Sequence, residues 1–596
     1  MKKNTYKKTL SYIVSTVLTF SLLVSANPAV LYADEIPPIV YSRYDEQKID
    51  TLLDEFSDAC FISNNDAVVT QLYNEIISEY DMIVTQKVIA NIYFDTDPSN
   101  EEYSDEVLYM ADIINNVSPK IDETLSLMIN ISEYSDLLHS LTGDLYEYLA
   151  YYEATDTPET NTQQEIYNEY SKLMASDISD DEKELKAAQL YLDLVNYLNS
   201  ISSTGNYLDD AYIAYGRDYT TTDMDALSDS IKKSTKKIFN FALDKASGFS
   251  YSASCPQVDN PFLEVDKYAG LISDELKESS QFILNNNLYR LADVSESSGV
   301  SYTTSLPSYK TAYIFQTVNK SFSDITTAIH EFGHFNNMRH NDTPAYYIYG
   351  DDLDLSEVQS QGLEMLYTQF YDDIDKENAQ ILRIINILDF TSAISGGFMV
   401  NEFENTIFSD ADRLTPQDVI DVNNSIMSEY GNVYDVDFYQ IPHLYMSPGY
   451  YISYAVSALA ALDLLKTCND GNFDKAVQMY TDISHCSTYN PQISFADSLS
   501  QCGFDNVLSD KYISDLVVSL NDYTSIQSGI IPGDVNSNGT VSAADLICIK
   551  DVILGSGKFI DSDGYISENK LHSADINYDD SVDALDIAAM VCKLLR

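Results

Sequence analysis

The chain has 596 residues, 45% of them hydrophobic, and a formal net charge of −59. That is enough apolar material for two or more packed units, and it excludes wholesale disorder. Acidity of this degree excludes nucleic-acid binding, which needs a basic footprint, and opposes adsorption to an anionic membrane.

The amino terminus predicts a secretory signal over 1–33: Lys2, Lys3, Lys7 and Lys8 precede the apolar "YIVSTVLTFSLLVSA", with cleavage after Ala26 or Ala33. No later segment reads as apolar enough to span a bilayer, so the expected product is exported and soluble. Cysteines at 60, 255, 468, 486, 502, 548 and 592 show no CxxC pairing. Buried free thiols are expected, with room for one bridge in an exported chain.

From about 40 to 250 the sequence reads as helical. "DAVVTQLYNEIISEYDMIVTQKVIANIYF" and "SDEVLYMADIINNVSPKIDETLSLMINI" repeat apolar residues at three-and-four spacing, and "DTDPSN" reads as a connection between helices. A solenoid-like or bundled scaffold follows. The texture changes at "TAYIFQTVN", 311–319, whose aromatic and β-branched residues predict a strand. "KSFSD" then starts a helix, with Ser321 or Ser323 as cap. Further helices are expected at about 355–372, 376–392 and 449–467.

The helix after the strand carries "IHEFGH", which sets His330 and His334 four apart with Glu331 beside the first. This H-E-x-x-H spacing puts both imidazoles on one helix face, where they can share a zinc ion. Seven histidines predict roughly 0.08 chance HxxxH pairs in a chain of this length, before the glutamate is required. In such a site zinc activates water and Glu331 serves as the base, so Glu331 is not itself a ligand. Two residues compete for third ligand. His340 matches the longer H-E-x-x-H-x-x-G-x-x-H pattern, except that Asn337 stands at the glycine. Glu357, in "SEVQSQGLE", lies on the next predicted helix, with Glu364 two turns on along the same face as a supporting acid. Spacing alone leaves both open.

"AYIFQTVNKSFSDITTAIHEFGHF", "DLSEVQSQGLEML" and "YQIPHLYMSPGYYISYAVSALAALDLL" resemble, in order, the catalytic segments of the thimet oligopeptidase and oligoendopeptidase F family. The resemblance covers roughly 45–520, within a peptidase unit of 34–523 whose catalytic part is about 251–523. It implies a mainly α fold: a helical two-lobed peptidase with a deep channel for short unstructured peptides and a small β-sheet. It also implies His330, His334 and Glu357 as zinc ligands, Glu331 as general base, and substrate pairing along the strand at 311–318. His443 and Tyr454 match positions that contact substrate and steady the oxyanion, with Tyr450 and Tyr451 as neighbouring substrate-binding candidates. The bland reading of these tyrosines is packing, since the chain has 47. Two departures stand out. Asn337 replaces a histidine common in the family, and "NDTPAYYIYGDDLD" replaces a glycine-rich loop.

After a linker over 524–532, residues 533–596 contain a duplicated loop and helix. Asp534, Asn536, Asn538, Thr540, Ser542 and Asp545 occupy positions 1, 3, 5, 7, 9 and 12 of a calcium loop, with Gly539 at the turn. Asp575, Asn577, Asp579, Ser581, Asp583 and Asp586 repeat the pattern, with Asp580 in place of the glycine. "DSDGYISEN", 561–569, reads as connector. The repeat resembles a type I dockerin, a small all-α domain that binds two calcium ions and docks a cohesin on a scaffold protein. Ala543, Ala544, Ala584 and Leu585 fall where that family contacts cohesin.

The expected protein is an exported zinc endopeptidase for short peptides, held by its dockerin on a cellulosome-type complex. A non-catalytic peptide-binding component is the alternative, and the intact His330/Glu331/His334/Glu357 set weighs against it. A metzincin-like protease using His340 is the third reading.

Overall fold

A computed structural model describes residues 36–152, 162–174, 176–249, 258–339, 343–348, 352–490, 493–555 and 566–595. The expected leader, His340, Cys255 and most of the 561–569 connector lie outside them. The fold is mainly helical with one small sheet.

Three larger hydrophobic cores organise the described residues, and a small cluster of Ile92, Ala292 and Phe315 packs the sheet against the helix Asp66–Thr96. The first is built by helices Gln47–Ala59, Asp66–Thr96 and Glu101–Ile131, whose three-and-four-spaced Leu53, Phe56, Val69, Ile76, Met110, Val117 and Ile121 turn inward. The second runs from Tyr170 to Tyr523 and takes in residues of all three segments expected to carry the site, among them Phe332, Val358 and Ala455. The stretch read as one helical part over 40–250 is therefore split. Its latter half, including Tyr191, Val195 and Ile231, packs into this second core. Periodicity marks a helix's buried face but not which core receives it. Residues Val535, Ile549, Ile576 and Met590 close the third core, in the C-terminal repeat.

The sheet has the order β1-β3-β2, with β1 at Tyr289–Asp293, β2 at Tyr302–Leu306 and β3 at Thr311–Val318. β1 runs parallel to β3 and β2 antiparallel, with Thr303 opposite Ile314. The strand expected at 311–318 is present, but both its edges are already paired. It has no free edge for a peptide, and the outer edges of the sheet belong to β1 and β2. Residue pattern identifies a strand and carries no information on its place in the sheet.

Beyond β3, the histidine helix (Phe322–Met338) begins at Ser321. Ser321 is the N-cap residue, but no side-chain hydrogen bond completes the cap. The Ser321 and Ser323 hydroxyls pair with each other at 2.6 Å, while the Asp324 carboxylate accepts the Asn319 and Lys320 amides at 3.1 and 2.7 Å. The glutamate helix (Leu353–Tyr367) follows, capped by Asp352, then the helix Ala379–Asp410, which outruns its expected end at 392. By length and composition Ala379–Asp410 could cross a membrane, yet 72% of its most apolar window is buried. It is crossed at Gly397 by the tyrosine helix (Ile452–Asn469), where an added Cβ would stand 2.5 Å from Ala455 Cβ. The helix Asp510–Gln527 takes up the first half of the expected 524–532 linker, and the chain turns only at Gly529, φ +77°.

Candidate active site

The two imidazoles project from one face of the histidine helix, with ring centroids 5.0 Å apart. Across from them the glutamate helix presents Glu357. Its Oε2 lies 3.6 Å from His330 Nε2 and 3.9 Å from His334 Nε2. Among the described residues this trio is the one set of three His, Cys, Asp or Glu side chains whose ligand atoms all lie within 4.8 Å of one another.

Gly333 makes the approach possible. A Cβ there would stand 2.6 Å from Ser360 Cα and 2.7 Å from the Gln359 carbonyl oxygen, both backbone atoms of the facing helix. The turn after the helix Phe473–Ser484 ties the pair from behind. Asn337 Nδ2 donates to the Ser484 carbonyl at 2.7 Å, and Gln359 Nε2 to those of Ile483 and Cys486, each at 3.2 Å. Asn337 is thus a helical, buried strut. The histidine helix continues through Met338, without the turn at 337 that the metzincin-like reading needs.

The far nitrogens of both rings have partners. Glu364 Oε1 is 2.8 Å from His330 Nδ1, and Ser356 Oγ is 3.4 Å from His334 Nδ1. These contacts leave Nε2 of each ring facing Glu357. Burial pulls the His330 pKa down, but the hydrogen bond and charge of Glu364 outweigh it and raise the group to about 10. Burial and the His330 charge hold His334 well below its usual value. Glu357 is raised, chiefly by burial. Two imidazoles converge with the half-buried Glu357 carboxylate, and a divalent cation would take the place of the proton that Glu364 holds on His330, so the residues fit a zinc ion.

Glu331 stands beside the trio. Burial raises its carboxyl to about 7, against the opposing effects of His330 and of Thr303, whose hydroxyl donates to Oε2 at 2.8 Å. Thr303 comes from β2, so the sheet positions the base. A cleft of about 470 Å³ opens here, lined by Ser301, Thr317, Asn319, His330, Glu331 and Glu364 among others.

The third predicted segment brings Tyr454 within range of the Glu357 and Glu331 charges. His443 stacks on Tyr450 with centroids 5.3 Å apart and planes 8° apart, and Tyr454 lies edge-on to His443 at 6.0 Å. Tyr451 also contacts Tyr454 at 5.3 Å, and its hydroxyl is 2.6 Å from that of Tyr434. Burial, and then the Glu357 charge, push the Tyr454 phenol up, keeping it a protonated donor. Burial lowers His443 to about 4, keeping its ring neutral.

Sequence reasoning missed Gly333, Thr303 and a buried ion pair. Arg217 Nε lies 3.3 Å from Asp354 Oδ2, and its other nitrogens donate to the Gly449 carbonyl (2.6 Å) and Ser453 Oγ (2.7 Å). It thereby joins the start of the glutamate helix to that of the tyrosine helix. Only Gly333 left a signal, because glycine inside a helix costs about 1 kcal/mol unless close packing demands it. The "AYYIY" of the departing loop has a partner too. Tyr346 OH donates to Asp122 at 2.7 Å, and Tyr347 OH is 2.7 Å from Tyr73 OH in the first core.

In the C-terminal repeat both loops share one hydrogen-bond plan. Asp534 accepts the Asn538 and Gly539 amides at 3.0 and 2.7 Å, and Asp575 accepts those of Asp579 and Asp580 at 3.1 and 3.0 Å. Asp545 and Asp586 close the loops by accepting the Asn536 and Ile576 amides at 3.1 and 2.7 Å. Asn577 Nδ2 donates to Asp579 at 2.8 Å, and Asn538 accepts from the Thr540 hydroxyl at 2.7 Å. The Ser542, Ser581 and Asp583 amides donate to Asp545, Asp579 and Asp586 at 3.0, 3.0 and 2.8 Å. Asp580 takes the glycine's place at φ +67°, and Gly539 has φ +83°. Ala543, Ala544, Ala584 and Leu585 are exposed.

Residues 532–595 match the sequence profile of the type I dockerin domain. No curated protein sequence matches the chain. Among solved structures, a protein assigned as an oligoendopeptidase F aligns over 82% of this chain and 99% of its own, with TM-score 0.63 and 18% identity. PZ peptidase A with a bound inhibitor aligns over the same shares, with TM-score 0.62 and 18% identity. A protein from Bacillus anthracis assigned as an oligoendopeptidase F reaches TM-score 0.58 at 16% identity, over 83% of this chain and 99% of its own. The larger part of the chain has the oligoendopeptidase F fold. The chain therefore joins a helical, oligoendopeptidase-like body to a dockerin.

Proposed function

We propose that the protein is a secreted zinc endopeptidase that hydrolyses short, unstructured peptides and is attached through its dockerin to a cohesin-bearing scaffold of the cellulosome type. The observation that carries this reading is the convergence of His330 Nε2, His334 Nε2 and Glu357 Oε2 beside a buried Glu331. Zinc, when bound, supplies a Lewis acid that activates water and polarises a peptide carbonyl. Glu331, oriented by Thr303, takes the water's proton and returns it to the leaving amine, a role suited to a carboxyl raised to about 7. Tyr454 and His443 supply donors toward the oxyanion, while Tyr450 and Tyr451 line the peptide's path. Glu364 fixes the His330 ring.

In the dockerin, Asp534, Asn536, Asn538, Thr540, Ser542 and Asp545 hold one calcium ion. Asp575, Asn577, Asp579, Ser581, Asp583 and Asp586 hold the other. Ala543, Ala544, Ala584 and Leu585 face the cohesin. The oligoendopeptidase F fold of the body and the dockerin match support this assignment.

Glu331→Gln tests the chemistry. Turnover of an internally quenched peptide should fall by about 10²–10⁴-fold while one zinc per chain is retained. Equal turnover by the variant would overturn the catalytic reading.

A further inference from the structure

Cys486 and Cys502 are the ends of a strap that supports both candidate ligand helices. Cys486 lies just beyond the helix Phe473–Ser484, and Cys502 ends the helix Phe495–Gln501. Their Sγ atoms are 3.7 Å apart across a sequence separation of 16. From the strap, the Cys486 carbonyl accepts from Gln359 at 3.2 Å and from Asn337 at 3.4 Å. The Thr488 carbonyl accepts the Asp352 amide at 2.6 Å, at the cap of the glutamate helix. Asn490 Nδ2 donates to the Tyr347 carbonyl at 2.9 Å.

We propose that Cys486 and Cys502 are joined by a disulfide in the exported protein, stapling the ends of this strap. The proposal rests on the secreted reading only for the compartment in which the bond forms. Sulfurs in van der Waals contact need modest rotation of two short side chains to reach the ~2.05 Å bond length. Cys502 is buried and Cys486 half-buried, so one sulfur remains open to an incoming reagent. The hydrogen bond shared by the two sulfurs holds the Cys486 pKa below the ordinary value, favouring the attacking thiolate. Cys60 and Cys468 are buried, and burial alone pushes their thiols up to about 11 and about 12, which leaves them unreactive. The oxidant is a low-molecular-weight disulfide. The Cys486 thiolate attacks it, displacing one thiolate and forming a mixed disulfide. Cys502 sulfur then displaces the second, so two protein thiols are oxidised and one disulfide is reduced to two thiols.

The test uses the purified full-length chain equilibrated with oxidised glutathione, alkylated without reduction and mapped by mass spectrometry. A peptide pair joined through Cys486 and Cys502, lighter by two hydrogens than its free components, is expected. Recovery of both as alkylated or glutathione-capped thiols, or joined to other cysteines, would overturn the proposal. Reduction of the bridged chain should lower its thermal midpoint by about 3–5 °C, as closure of a loop this short predicts. Cys486→Ser/Cys502→Ser should show no such redox-dependent shift, and a shift that persists in it assigns the effect elsewhere. None of these readouts uses peptide cleavage, so the bridge and the peptidase reading stand or fall separately.

Discussion

Gly333→Ala isolates the contact that brings Glu357 to the histidines. The new Cβ would meet Ser360 Cα at 2.6 Å and Gln359 O at 2.7 Å, and neither backbone atom can yield as a side chain tip can. Ordinary contact begins near 3.4 Å, so the helices must part by about 0.8 Å, from 2.6 to 3.4 Å. Overpacking of this kind costs about 1–3 kcal/mol. The functional cost is larger. Ligand atoms about 2.0–2.2 Å from a tetrahedral zinc stand roughly 3.3–3.6 Å from one another, and the Glu357 oxygen lies 3.6 and 3.9 Å from the two imidazole nitrogens, so there is little slack for a wider gap. Moving Glu357 further should weaken zinc retention against a competing chelator, and peptide turnover should fall by about 10²-fold. Gly270→Ala is the control, because its Cβ meets only the flexible Lys277 side chain, at 3.3 Å. Gly270 lies inside the helix Pro261–Ile272, where alanine should leave stability equal or raise it by up to about 1 kcal/mol. Wild-type zinc retention and thermal midpoint in Gly333→Ala would refute the reasoning.

Arg217→Ala leaves Asp354 buried without its cation and releases the Gly449 and Ser453 contacts, so urea denaturation should show a loss of about 3–5 kcal/mol. Asp580→Gly relieves a left-handed residue in the second calcium loop, and calorimetry in calcium should show a gain of about 0.5–1 kcal/mol for the dockerin transition. His443 has an ordinary pKa of 6.5 when unfolded and about 4 when folded, so the unfolded chain binds the proton first. Its contribution is present above pH 6.5 and lost as pH falls toward 4, by roughly 1–3 kcal/mol. The difference in stability between wild type and His443→Gln should narrow over that interval, and a constant difference would show that the ring is not held neutral by burial.

Much of the candidate site is local and could be read directly. The H-E-x-x-H spacing orients His330 and His334 because a helix repeats every 3.6 residues. The twelve-residue calcium loops carry their own donor spacing, and the loops at Asp534 and Asp575 show the expected turns. Where the reading stopped, the missing quantity was a distance between elements. Strand character in 311–318 did not reveal that β3 lies between two partners. Helical periodicity over 40–250 did not reveal that its second half joins the second core. No side chain completes the cap expected from Ser321 or Ser323, because their hydroxyls bond each other and Asp324 ties down the Asn319 and Lys320 amides ahead of the helix.

The sequence by itself determined the helical class, the pair of histidines with its neighbouring glutamate, and the duplicated acidic loops of the dockerin. All of these depend on residues close together in the chain. Tertiary structure alone decided that Glu357 faces those histidines, that Gly333 permits it, and that Thr303 and Tyr454 border the same space. It also decided that Cys486 meets Cys502 under the ligand helices. The physical reason is that backbone geometry sets directions along one element, whereas the approach of two elements is set by close packing between side chains remote in sequence.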